Sequence, residues 1–156
     1  MPHLQYLILA ECYTPDLSAL ATLKELKWLE LFMNTSMDIT PLAECTALED
    51  LNICYMHVPG AQLVETLSKM PWLKRLWCCG TMMNLDEIAQ LRAALPDTEI
   101  WYAAGGESTG STWRYSESYY DMRDAFHMYY MDYRGNSTQR LSSQELEAIH
   151  RKFWGW

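Results

Sequence analysis

The residues of this chain that could do chemistry are five cysteines, four histidines and twenty acids, and their spacing limits what they can do. A zinc-type site needs thiol or imidazole pairs a few residues apart. His3, His57, His127 and His150 have no such relation to one another or to a cysteine pair, so no metal is expected. Cys78 and Cys79 are adjacent, and on one strand adjacent side chains leave opposite faces, which rules out joint chelation. An odd number of cysteines does not make a disulfide scaffold. Gly105-Gly106 and the Ser/Thr stretch at 108–112 lack the lysine and helix of a phosphate loop and read as a linker. Asn34-Thr35-Ser36 and Asn136-Ser137-Thr138 match glycosylation sequons, which matter only in a eukaryotic secretory setting. What is left is the chemistry of recognition by rings and acids, and its geometry depends on the repeats that carry them.

Residues 4–105 are written in a repeat. Leu4-x-x-Leu7-x-Leu9-x-x-Cys12 returns as Leu26-x-x-Leu29-x-Leu31-x-x-Asn34, as Leu48-x-x-Leu51-x-Ile53-x-x-Met56 and as Leu73-x-x-Leu76-x-Cys78-x-x-Thr81. A degenerate fifth copy runs Asp97-x-x-Ile100-x-Tyr102-x-x-Gly105. The first positions 4, 26, 48, 73 and 97 are 22, 22, 25 and 24 apart. In each short strand Leu7 and Leu9, Leu29 and Leu31, or Leu51 and Ile53 point inward, and the residues between them point outward. The return path is compact in the first two copies, through Leu17, Leu20 and Leu23, then Ile39, Leu42 and Cys45. In the third, Leu63, Val64, Leu67 and Met70 ahead of Pro71 predict a helix over 61–70. In the fourth, Ile88, Leu91 and Leu95 ahead of Pro96 predict one over 85–95. One copy cannot bury its own apolar face, so the stack is the folding unit.

This is the pattern of a leucine-rich repeat. The stretch Met37-Asp38-Ile39-Thr40-Pro41-Leu42-Ala43-Glu44-Cys45-Thr46-Ala47-Leu48 resembles the compact repeat of internalin-type bacterial surface proteins. There an aspartate-isoleucine-x-proline-leucine turn is followed by a threonine and the next strand. The resemblance covers about residues 4–102 and implies a bacterial recognition protein, at the cell surface or secreted. Two features depart from it. The asparagine row keeps only Asn34, with Cys12, Met56, Thr81 and Gly105 in its other places, and the later copies are longer. The expected fold is α/β: a right-handed leucine-rich repeat solenoid over residues 1–104, a horseshoe segment of four to five turns with a parallel sheet on its concave face. An aromatic-rich helical C-terminal cap is expected over 105–156. There Tyr119, Met122, Phe126, Tyr129 and Tyr133 fall on one helical face, and Ser142-x-x-Glu145 reads as a capping box opening a last helix. This tail resembles the one that follows the repeats in some clostridial-type leucine-rich repeat proteins, and no activity is assigned to it.

Aligning the copies sorts the outward residues into rows. The first reads Tyr6, Trp28, Asp50, Arg75, Glu99; the second Ile8, Glu30, Asn52, Trp77, Trp101; the third Ala10, Phe32, Cys54, Cys79, Ala103. Strands about 4.8 Å apart make Trp77 and Trp101 neighbours, and Tyr6, Ile8, Trp28 and Phe32 form an apolar group on the N-terminal side. Solvated strand positions with this many rings suit partner binding. Tyr6, Trp28, Glu30, Phe32, Asp50, Asn52, Arg75, Trp77 and Trp101 are therefore the expected ligand-binding residues, and a non-catalytic protein-recognition module is the expected function. One alternative is a glycan-binding module using the same rows, with rings stacking on sugar and acids accepting hydroxyl protons. Another is an assembly module forming homo-oligomers. A competing reading of the rings has the C-terminal helices fold over the sheet and bury Trp77 and Trp101. Glu30 with Asp50 or Asn52 would lie on an open, wet sheet where pKa tuning is weak, so no catalytic residue and no cofactor is expected. Cys12, Cys45 and Cys78 read as small buried residues. Cys54 and Cys79 read as neighbours on exposed strands, with α-carbons in disulfide range, although parallel neighbours rarely have suitable side-chain vectors.

Composition bounds the remaining choices. The chain has 156 residues, 49% of them hydrophobic, enough for one domain with a sizeable core. Twenty acids against twelve bases, a formal net charge of −8, tell against nucleic-acid binding. No apolar run approaches the roughly 18 residues of a membrane span, so no membrane insertion is expected. Met1-Pro2-His3-Leu4 has no basic start of a secretory signal, and an extracellular placement rests on the resemblance alone. The first copy begins at Leu4 without a cap, so the sequence predicts either upstream repeats or an edge that pairs with another chain.

Overall fold

A computed structural model of the chain describes residues 3–102. The expectations for 105–156, its helices and its capping role lie outside the described residues.

Each copy of the repeat contributes one three-residue strand: β1 (Tyr6–Ile8), β2 (Trp28–Glu30), β3 (Asp50–Asn52), β4 (Arg75–Trp77) and β5 (Glu99–Trp101). They form one parallel sheet in chain order, β1-β2-β3-β4-β5. The register places each copy's leucine beside the next, Leu7 to Leu29 to Leu51 to Leu76 to Ile100. Behind the sheet, Leu26, Leu29, Leu31, Ile39, Leu42, Leu48, Leu51, Ile53 and Leu76 are fully buried in one continuous core, which the helix residues Leu63, Leu67, Ile88 and Leu91 complete.

The return segments follow the local chemistry of each copy. In the first two, Asp16 and Asp38 accept hydrogen bonds from the backbone N–H of Ser18 and Thr40 at 2.8 Å. These Asx turns lead into 3₁₀ turns at Ser18–Thr22 and Thr40–Glu44, the second with Pro41 near its start. The third copy returns through α1 (Gly60–Leu67) and the fourth through α2 (Leu85–Ala94). α1 stops three residues short of the expected end. The amides of Lys69 and Met70 bond three residues back, to Thr66 and Leu67, tightening the chain before Pro71, which cannot continue a helix. α2 opens on a reciprocal capping box between Asn84 and Glu87, with Asp86 and Glu87 in its first turn and Arg92 in its last, where each charge suits the helix dipole.

Asn34 ties two copies together. Its Nδ2 donates to the Leu9 carbonyl at 3.0 Å and to Thr14 Oγ1 at 3.3 Å, while its Oδ1 accepts from Ser36 N–H at 2.9 Å. At the equivalent place Thr81 donates its hydroxyl to the Cys78 carbonyl within its own copy, and Met56 contributes apolar volume instead. The turn leaving each of the first four strands also repeats. Glu11, Met33, Tyr55 and Gly80 occupy equivalent places with φ of 54°, 52°, 60° and 66°. The Tyr55 ring lies over Gly80, so a β-carbon there would collide with it.

Candidate functional site

The outward rows are where the sequence places them. Tyr6, Trp28, Asp50, Arg75 and Glu99 are in register across the five strands, as are Ile8, Glu30, Asn52, Trp77 and Trp101. Their solvation departs from expectation. Trp28, Asp50 and Asn52 are 0% exposed, Trp77 2% and Glu30 5%. Tyr6, Phe32, Arg75 and Trp101 are half-buried, and of the apolar N-terminal group Ile8 alone is classed as exposed, at 44%. Part of the reason is how the rings lean. Trp28 on β2 and Trp77 on β4 are two strands apart, yet their ring centroids meet at 5.9 Å with a 49° tilt, which places them over the short side chains of β3. Asp50 and Asn52, expected to be open to water, are buried there.

The polar groups of β3 are held by their neighbours. Asp50 receives both Nε and Nη2 of Arg75, a bidentate ion pair across the β3–β4 register. That bond, the largest influence on Arg75, holds its guanidinium above its ordinary pKa. Asn52 Oδ1 accepts the Cys54 N–H at 2.9 Å. The Asn52 Nδ2, Trp77 Nε1 and Trp101 Nε1 hydrogens are buried with no acceptor among the described residues. Asp50 is thus a structural anion neutralised by Arg75, without the freedom a general acid or base needs.

Cys54 and Cys79, expected on open strands, are 1% and 3% exposed, and the Cys79 Sγ donates to the Trp101 carbonyl at 3.5 Å. The Cys79 side chain beside it, with burial, pushes the Cys54 thiol well above its usual range, and burial does the same for Cys78 and Cys45. Cys45 and Cys78 are core residues, as expected, and donate to the carbonyls of Leu20 and Trp101. His57 lies exposed in the loop after β3, and His3 pairs with Glu25 at 2.7 Å on the surface. Among the described residues no group of three or more His, Cys, Asp or Glu could hold a metal ion, and no helix is long and apolar enough to cross a membrane.

The accessible apolar surface lies beside the sheet, in the row of left-handed turns. Met33 is 50% exposed and Tyr55 42%. Phe32 meets Tyr55 edge to face, 5.5 Å between centroids at 79°. Farther along the same loops Tyr13 and Met82 are 83% and 60% exposed. Strand rows alone do not reveal this surface. Its one sequence signal is Gly80, the residue type that left-handed backbone favours, standing in line with Glu11, Met33 and Tyr55.

By sequence, no protein-family model matches the chain, and neither does any curated protein. Solved structures do. An internalin (inlF) of Listeria monocytogenes superposes with a TM-score of 0.53 at 22% identity, covering 64% of this chain and 30% of that one. A leucine-rich repeat protein of Leptospira interrogans gives 0.54 at 24%, covering 64% and 25%. The fold is a leucine-rich repeat solenoid. A second Listeria monocytogenes protein, internalin C2, gives 0.51 at 24% identity, covering 66% of this chain and 46% of that one. The chain therefore spans less than half the length of each of these bacterial proteins.

Proposed function

We propose that this solenoid is a non-catalytic protein-recognition module of a bacterial surface or secreted protein. Binding takes place at the N-terminal margin of the strand face and the turn row beside it. The observation that carries this reading is the accessible apolar group on that margin: Ile8 at 44%, Met33 at 50% and Tyr55 at 42% exposure, with half-buried Tyr6 and Phe32 beside them. Accessible rings on a rigid frame are the usual anchors of protein interfaces. Trp28, Glu30, Asp50, Asn52 and Trp77 serve as a packed floor that fixes the margin, rather than as contact residues. Arg75 and Trp101 stand at the edge of that floor.

The same burial weighs against the carbohydrate alternative. A sugar needs an open ring face to stack on, and Trp28 and Trp77 are 0% and 2% exposed. Capture from bacterial and host surface fractions tests the reading, comparing the native chain with a Phe32→Ala/Tyr55→Ala variant. Loss of a specific captured protein supports it, and equal capture by both chains removes the margin as the binding surface. Light scattering on the isolated chain separates recognition from self-assembly, for which a concentration-dependent dimer is the expected signature.

A further inference from the structure

The strands are all parallel and in register, so the segments that leave β1 to β4 line one flank of the solenoid and the segments that enter β2 to β5 line the other. The two flanks differ in composition. Taken through the first turn of each return element, the leaving segments are 9–20, 31–42, 53–63 and 78–88. They hold Tyr13, Met33, Met37, Tyr55, Met82 and Leu85, which are all of the exposed large apolar side chains among the described residues except Ile8. They also hold Glu11, Asp16, Asp38, Asp86 and Glu87, and no lysine or arginine. Every lysine and arginine of the described residues lies elsewhere, at Lys24, Lys27, Lys69, Lys74, Arg75 and Arg92.

Pairing sharpens the contrast. On the entering flank charges cancel in place, His3 with Glu25, Lys24 with Glu44 and Lys74 with Glu49. The acids of the leaving flank make no ion pair among the described residues. An accessible apolar row edged by uncompensated negative charge is complementary to a surface that is apolar and positive. It repels an anionic lipid surface and the same flank of a second copy. Resting on the recognition reading above, we infer that the leaving flank docks a basic amphipathic polypeptide segment. Its leucine or aromatic residues cover Met33, Tyr55 and Met82, and its lysines or arginines answer Glu11, Asp38 and Asp86.

Fluorescence anisotropy of a labelled leucine–lysine helical peptide, titrated with the full chain, tests this. Saturable binding is expected, about tenfold weaker in high salt than in low, and none for the leucine–glutamate or serine–lysine counterpart. Glu11→Gln/Asp38→Asn/Asp86→Asn should weaken it about tenfold, and Met33→Ser/Met82→Ser should weaken it comparably. Glu44→Gln/Glu49→Gln/Glu65→Gln, which removes as many charges outside that flank, should leave it unchanged. No saturable binding, equal binding of the leucine–glutamate peptide, or equal weakening by the two charge variants overturns the inference. So does saturable binding to phosphatidylglycerol vesicles, or a concentration-dependent dimer that Met33→Ser/Met82→Ser abolishes, since these assign the flank to a lipid surface or a second copy. Failure here is distinguishable from failure of the recognition reading. An acidic protein captured by the native chain and lost in Phe32→Ala/Tyr55→Ala would overturn the basic partner and leave the margin as the binding surface.

Discussion

Asp50 shows how a strand-face acid becomes a structural group. It is completely buried, and Arg75 covers both of its oxygens from the next strand. Removing one partner of a buried pair strands the other charge, at a cost of about 3–5 kcal/mol. Arg75→Ala should therefore lower the urea-unfolding free energy by about 3 kcal/mol, and Arg75→Lys should recover only part of it because an ammonium cannot make the fork. An unchanged urea midpoint in Arg75→Ala would show that the pair contributes nothing. The exposed carboxylates of Asp16 and Asp38 respond to acid instead. Each is held below its model-peptide value of 3.8 chiefly by the backbone N–H it accepts, from Ser18 and Thr40 respectively. Their stabilisation is complete above that value and is lost as pH falls through the lower folded one. A double Asp16→Ala/Asp38→Ala variant should lose part of the decline in melting temperature that the native chain shows below about pH 4. A decline as steep as the native one would refute this. The row order Asp50, Arg75 already puts these two side by side in the sequence. Their burial is not legible there, because it depends in part on Trp28 and Trp77 leaning toward each other across β3, and strand spacing does not encode the lean of a ring.

The return segments were legible wherever the sequence carried a stop or start signal. The apolar residues of the two compact returns, the apolar spacing of both helices and the prolines after them locate every segment. The early end of α1 was not legible, because tightening to three-residue bonds ahead of Pro71 is a property of the terminal turn, not of apolar spacing. α2 depends more on its cap, since only Ile88 and Leu91 of its ten residues are buried. Asn84→Ala should cost about 1 kcal/mol and speed amide exchange in the first turn of α2 while leaving α1 protected. Exchange unchanged in both helices would show that packing, not the cap, holds α2 in place. Gly80→Ala should cost more than a typical glycine replacement. It adds the left-handed strain of φ 66° to a collision with the Tyr55 ring, and near-native stability in that variant would contradict the crowding.

In the whole solenoid each copy buries its leucines only against its neighbours, so stability is shared along the stack. Leu51 lies in the central strand with no exposure, whereas Leu9 follows β1 and is only partly buried. Leu51→Ala should lose about 2–5 kcal/mol and Leu9→Ala distinctly less, in a single urea transition for both. Equal losses would mean that the sheet edge is packed as tightly as its centre. At this scale the repeated motif defined the architecture, since register follows from the constant spacing inside each copy's strand motif and the aligned leucines leave one arrangement that buries them. The proposed margin was harder to see, because it is formed by what the core does not need. Of the four left-handed turn positions, three keep a side chain where glycine would fit with less strain, and all three of those side chains, Glu11, Met33 and Tyr55, reach solvent. The coil asks little of Glu11 and Met33, while the Tyr55 ring also covers Gly80. If the proposed margin binds, these three are fittings on a fixed rail, and mutation would retune what the protein grips, repeat by repeat, without redrawing the scaffold that holds it.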